Sequence, residues 1–191
     1  AGEGADRRIE KGENDLLPEE ISTLQRMIKI YKNVVLVINI GSSLDMSFLD
    51  KTPGLGAVVY FCQQGTEGGH AFADIVSGKV NPSGKLTDTW AKKYSDIPFS
   101  DEYSYLNGNL KNEYYKEGLL VGYRYFDSYK IEPQYPFGYG LSYTTFAIKT
   151  TDVTLDKTVV CVCVDVTNTG SVSGKEVVQV YLSAPNGVLK K

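Results

Sequence analysis

A glutamate lies between two glycines at the head of this chain, in Gly2-Glu3-Gly4-Ala5-Asp6-Arg7. Glycine on both sides lets the backbone turn tightly and come close to a ligand. The loop therefore reads as a device for presenting one carboxyl group, with Asp6 and Arg7 near enough to tune it. Taken on composition alone, an acid in a glycine loop is ordinarily just solvated, so the chemistry has to be argued from more than this loop. Nothing precedes the loop to hold it, which suggests that the chain starts inside something larger.

A second acid stands in Gln64-Gly65-Thr66-Glu67-Gly68-Gly69. Glu67 would fall in the first turn of a helix, where the dipole stabilises negative charge. Its leading reading is structural, an acid that orders neighbouring loops, ahead of a catalytic one. His70 is the single imidazole and has no evident serine partner, so a hydrolase triad is not expected and His70 should be a solvent-facing or sheet-edge helix residue. Gly41-Ser42-Ser43-Leu44-Asp45 lacks the G-x-S-x-G elbow. Gly78 to Lys85 resembles a phosphate loop, but it has one residue too many, and Leu86 stands where a hydroxyl must hold magnesium. The cysteines, Cys62, Cys161 and Cys163, are odd in number and are expected to be small core residues. With one histidine and no C-x-x-C, neither a metal site nor any cofactor is called for.

The elements that must position these groups divide the chain by character. Its 191 residues leave room for one domain and part of a second. A net charge of −3 with no basic block speaks against nucleic acid as a partner. No apolar run reaches membrane-spanning length, so no membrane partner is expected. Pro18-Glu19-Glu20 marks a helix start, with Ile21, Leu24, Ile28 and Tyr31 at helical spacing. The uninterrupted apolar run Val34–Ile38 suits a strand covered on both faces, and Val58–Cys62 is a second. A short helix lies between them, and a helix carrying Ala71, Phe72, Ile75 and Val76 follows and closes at Gly78. This alternation predicts an α/β fold with a mostly parallel sheet. Ligands gather at the carboxyl ends of such strands, which places Gly41-Ser42 and Gln63-Gln64-Gly65 on the informative edge.

Residues 79–140 change character: after the turn cluster Asn81-Pro82-Ser83-Gly84 comes a long stretch rich in tyrosine, asparagine and glycine, with little periodicity, that reads as an extended connection pinned by aromatics. From Leu141 the pattern is all-β: valines 160, 162, 164 and 166 alternate with Cys161, Cys163 and Asp165, Asn168-Thr169-Gly170 turns, and Glu176–Leu182 reads as a further strand. Residues 141–191 are about half of what an immunoglobulin-like sandwich needs, roughly 100 residues, so this second domain is expected to be incomplete.

Seven pieces in register now point to one family. They are Gly2-Glu3-Gly4-Ala5-Asp6-Arg7 followed by Leu17-Pro18, Asn33-Val34-Val35-Leu36-Val37 ending at Gly41-Ser42, and Gln64-Gly65-Thr66-Glu67-Gly68-Gly69. Downstream come Asn81-Pro82-Ser83-Gly84-Lys85-Leu86, Val121-Gly122-Tyr123-Arg124-Tyr125-Phe126-Asp127 and Tyr135-Pro136-Phe137-Gly138-Tyr139-Gly140-Leu141-Ser142-Tyr143. In this order the chain resembles the C-terminal part of glycoside hydrolase family 3, the β-glucosidase type, over essentially its whole length. The resemblance implies a partial α/β sandwich domain over residues 1–91, the connection over 92–140, and a truncated fibronectin type III-like domain over 141–191.

It further implies retaining, exo-acting hydrolysis of β-linked glucosides or xylosides. Glu3 matches the motif of the family's general acid/base, while the aspartate nucleophile belongs to a barrel domain with no counterpart here. Retention needs two carboxyl groups about 5–5.5 Å apart, so one carboxylate by itself is expected to be inactive. Glu3 must have a raised pKa to act as an acid, and Arg7 either moderates that rise or pairs with Asp6. The implied partners are β-linked glucosides or oligosaccharides and the missing N-terminal barrel of the same polypeptide. A competing reading is a non-catalytic carbohydrate-binding or scaffolding module, in which the 14 tyrosines offer stacking platforms for sugar rings.

Overall fold

The computed structural model describes residues 14–102, 108–109, 111–112 and 114–182. They form a mixed helix and strand structure that divides into two compact units. Of the described residues, the first comprises those within 14–65 and 88–137 together with Leu182; the second comprises 66–87 and 138–181.

The first unit opens with helix α1, Pro18–Ile30. Its start follows from local chemistry. Leu17 holds the N-cap position, Pro18 supplies a preset φ, and the Glu20 carboxylate reaches back to accept the Leu17 N–H at 2.8 Å. Leu24 is the residue α1 buries, and Gln25 Nε2 ties the helix to the Lys51 carbonyl at the end of a 3-10 turn, Ser47–Lys51. Strands β1, Val35–Ile38, and β2, Ala57–Tyr60, pair in parallel, Val35 opposite Ala57 and Ile38 opposite Tyr60. The expected order of helix, strand, short helix, strand and helix is what forms.

The core of this unit collects Ile38, Leu44, Met46, Phe48, Trp90 and Phe126. Trp90 is only 2% exposed. Its ring meets Tyr60 edge-on at 5.0 Å between centroids and Tyr135 at 6.4 Å. Backbone bonds between Trp90 and Tyr135 lock the two segments together. One element within residues 92–140 was not legible: helix α3, Tyr123–Tyr129, follows Gly122 at φ 56 and ends at Lys130 in a left-handed cap.

The second unit contains helix α2, Gly68–Val76, closed by Gly78 at φ 75, and a long antiparallel hairpin. Strands β3, Phe146–Asp156, and β4, Val159–Asn168, pair along their length with one bulge between Thr150 and Asp152.

Two expectations are corrected here. The cysteines are not core residues: Cys62, Cys161 and Cys163 are all free and exposed. Cys62 sits in the turn that leaves β2, and β4 has only β3 beside it, so no second layer covers the face that carries Cys161 and Cys163 among the described residues. Glu176–Leu182 forms no strand either. Valines 177, 178 and 180 give the segment strand propensity, but a strand exists only where a neighbour closes its hydrogen bonds.

Candidate functional site

The carboxyl edge of the β1–β2 pair is built by five bonds. Phe61 N–H donates to the Ile38 carbonyl at 2.8 Å, which carries the ladder one step past the last strand residue. Asn39 then turns its carboxamide oxygen across the gap and accepts the Gln63 N–H at 2.9 Å. Gln64 Nε2 donates back to the Phe61 carbonyl at 2.8 Å. On the β1 side, Asp45 Oδ1 accepts the Ser47 N–H at 2.8 Å and Oδ2 accepts the Tyr94 N–H at 3.2 Å. Gly41-Ser42 and Gln63-Gln64-Gly65 therefore leave the sheet on the same edge, as parallel pairing requires.

Between Phe61 and Gln64 the chain does something no composition rule announces. Cys62 takes φ 52 and Gln63 takes φ 47, both left-handed and neither glycine. Each such residue costs about 1–2 kcal/mol relative to ordinary backbone.

Glu67 occupies the N-cap position of α2. Its carboxylate is paired with His70 Nδ1 of the same turn at 2.6 Å, and both side chains are more than 80% exposed. His70 thus faces solvent, the first of the two placements expected for it. The carboxyl-bearing loop with Glu3, Asp6 and Arg7 lies outside the described residues. So does most of the polar opening segment, 1–15.

A polar node lies in the second unit, at the turn once compared with a phosphate loop. Asn81 Oδ1 accepts from Ser142 Oγ at 2.9 Å and from the Tyr143 N–H at 2.8 Å, while its Nδ2 donates to the Ser173 carbonyl at 3.0 Å. Lys85 Nζ donates to the Gly140 carbonyl at 2.7 Å and pairs with Glu176 at 3.0 Å, each side chain 15% exposed. The Val177 N–H and, after it, Lys85 hold the Glu176 carboxyl below its usual range. Lys85 is committed to this pair, which removes it as a phosphate ligand. The sequence offered one signal for the node, the turn cluster Asn81-Pro82-Ser83-Gly84, but none for its partners, which come from about 60 to 90 residues away.

Among the described residues no group of three or more histidine, cysteine or acidic side chains could hold a metal ion. No described helix is long and apolar enough to cross a membrane.

Comparison with known proteins gives consistent matches. The family model described as Glycosyl hydrolase family 3 C-terminal domain matches residues 1–143. A β-glucosidase of Ruminococcus albus is 40% identical over all of this chain and 20% of its own length. A β-glucosidase of Bacteroides ovatus is 40% identical over 83% of this chain and 22% of its own length. The solved structure of β-glucosidase 3B from Thermotoga neapolitana in complex with glucose covers 100% of this chain and 27% of that one, with 38% identity and a TM-score of 0.89. The chain thus spans about a fifth of the length of the curated relatives it matches, 20% and 22% for the two named.

Proposed function

We propose a function from one premise: the chain belongs to glycosyl hydrolase family 3. It is the C-terminal portion of a retaining, exo-acting β-glucosidase that releases terminal β-D-glucosyl residues. Residues 1–91 form the latter part of an α/β sandwich domain, 92–140 the connection, and 141–191 the opening of a fibronectin type III-like domain. Glu3 is the general acid/base. The aspartate nucleophile lies on a barrel domain of the same polypeptide, outside this sequence.

The observation that supports this reading is the match of all of this chain to 27% of a β-glucosidase solved with glucose. The chemistry then follows. In the first step the barrel aspartate attacks the anomeric carbon, the glycosidic C–O bond breaks, and the leaving oxygen takes the Glu3 proton. In the second step the Glu3 carboxylate takes a proton from water, whose oxygen displaces the aspartate and restores the β configuration. A group that serves as acid and then as base needs a pKa near the working pH. Burial against substrate and a neighbouring carboxylate would raise it, and Arg7 would limit the rise. Two carboxyl groups are required, so this chain without the barrel is inactive. Glu67, paired with His70, has a structural part at the start of α2.

The test is Glu3→Ala in the enzyme that carries both barrel and this sequence. Hydrolysis of unactivated glucosides should fall about 10²–10⁴-fold, the usual contribution of general acid–base catalysis. Aryl glucosides with good leaving groups should suffer least in the first step, and azide should partly restore turnover by attacking the glycosyl intermediate. Ordinary activity of that variant on a glucose disaccharide would sink the assignment.

One observation favours a second reading, a carbohydrate-binding module. Tyr115 is 87% exposed and Tyr114 60%, as stacking platforms would be. Calorimetric titration of the chain with gluco-oligosaccharides separates the two, since clear binding without the barrel supports the module.

A further inference from the structure

Among the described residues five non-glycine residues adopt left-handed backbone, and the fold accounts for two of them directly. Lys130 ends α3 and Lys157 turns the hairpin between β3 and β4. Of these five, Cys62 and Gln63 alone are consecutive. They stand at the carboxyl end of β2, just past its last pairing with β1, and Gly65 comes too late to relieve them. The conformation is held from both strands: by the Asn39 carboxamide oxygen on the Gln63 N–H at 2.9 Å, and by the bonds that Phe61 makes to Ile38 and Gln64, both at 2.8 Å. Backbone in such a region persists only where its surroundings over-determine it, and it concentrates at ligand clamps and active sites. The second pointer is position, because ligands of parallel α/β sheets gather outside the carboxyl ends of the strands.

We propose that the Cys62–Gln63 turn, locked by Asn39, is a positioning element for the glycoside. It fixes the backbone of residues 63–65 so that the strand edge meets the bound sugar in a single conformation. This deepens the β-glucosidase reading and rests on it. Asn39 acts through the Gln63 backbone and is a positioning residue.

The experiment pairs steady-state hydrolysis of an aryl β-glucoside by the full-length enzyme with its thermal unfolding. Asn39→Leu removes the acceptor and is expected to lower kcat/KM about tenfold, because small misplacements far from the chemistry are costly. Asn39→Asp keeps a side-chain oxygen in place and should stay within about threefold of the parent. The double variant Cys62→Gly with Gln63→Gly frees the left-handed backbone. Its melting temperature should be unchanged or higher while kcat/KM falls about tenfold, a split that a merely structural turn does not give. Full kcat/KM in the glycine variant overturns the proposal. So does a loss of kcat/KM that comes with a lowered melting temperature, since the turn then acts through folding alone. Where Asn39→Leu does not fold, the glycine variant decides. Undiminished activity of Glu3→Ala would sink the assignment of Glu3 instead, and it leaves the glycine variant's effect on kcat/KM readable.

Discussion

Asn81→Ala should unfasten the second unit while leaving the first one standing. Every buried apolar side chain among the described residues, from Leu24 to Phe126, belongs to the first unit. The second unit buries Thr144 but no large apolar side chain, and it is stitched by side-chain hydrogen bonds. Asn81 alone makes three of these, to Ser142, Tyr143 and Ser173. A hydrogen bond contributes a net 0.5–1.5 kcal/mol or thereabouts, and the partners here are partly exposed and can rehydrate, so the loss should be about 2–3 kcal/mol. Native-state hydrogen exchange reads this directly. Amides in the ladder between β3 and β4, such as those around Val153 and Val162, should exchange roughly 30- to 150-fold faster. Emission from Trp90, the single tryptophan, reports the first unit and should keep its urea midpoint. Asn81→Asp keeps the oxygen that serves Ser142 and Tyr143 and loses only the donor to Ser173, so it should cost about 1 kcal/mol. Unchanged exchange in Asn81→Ala, or equal loss in the two variants, would refute the bond-by-bond reasoning.

Two further outcomes follow from the geometry. Glu176 is a carboxylate held below its usual 4.5, by the Val177 N–H first and Lys85 next, so it adds stability that is complete above that value and is lost as pH falls through the depressed one. Exchange protection of the hairpin should therefore decline below about pH 4.5, and Lys85→Met should flatten the decline when protection is compared between about pH 3 and 6. In the first unit, Trp90→Leu removes the ring that Tyr60 and Tyr135 pack against and should cost about 2–4 kcal/mol, read as a lowered urea midpoint by far-ultraviolet circular dichroism.

What the sequence made legible was whatever carries its own periodicity. The apolar spacing from Ile21 to Tyr31, with Pro18 ahead of it, specified α1, and two unbroken apolar runs specified the parallel pair. Helix α3 escaped because it buries little beyond Phe126 and begins at Gly122 with no polar cap. Its seven residues are too few to show a face. Glu176–Leu182 looked like a strand because propensity is local, whereas pairing depends on a neighbour elsewhere in the chain. The same limit hid the site. Gln63-Gln64-Gly65 announced a turn and Asn39 a strand end, but their bond joins residues 24 apart. Left-handed backbone at Cys62 and Gln63 has no signature at all, since neither residue type prefers it.

The two clusters differ in the way they are held, and the difference bears on their roles. The node around Asn81 and Lys85 satisfies polar groups that would otherwise be lost, so each bond there adds to stability. The edge around Asn39 does the reverse: its bonds hold backbone in a conformation that costs about 2–4 kcal/mol over two residues. Strain of that size can be retained only where other packing over-determines it. Tyr60, two residues before the turn, is anchored edge-on against the buried Trp90 ring, which belongs to the unit with the apolar core. A strained turn on the unit that can tolerate it, placed on the edge where parallel sheets meet their ligands, is the arrangement expected when rigidity at that edge serves binding rather than folding.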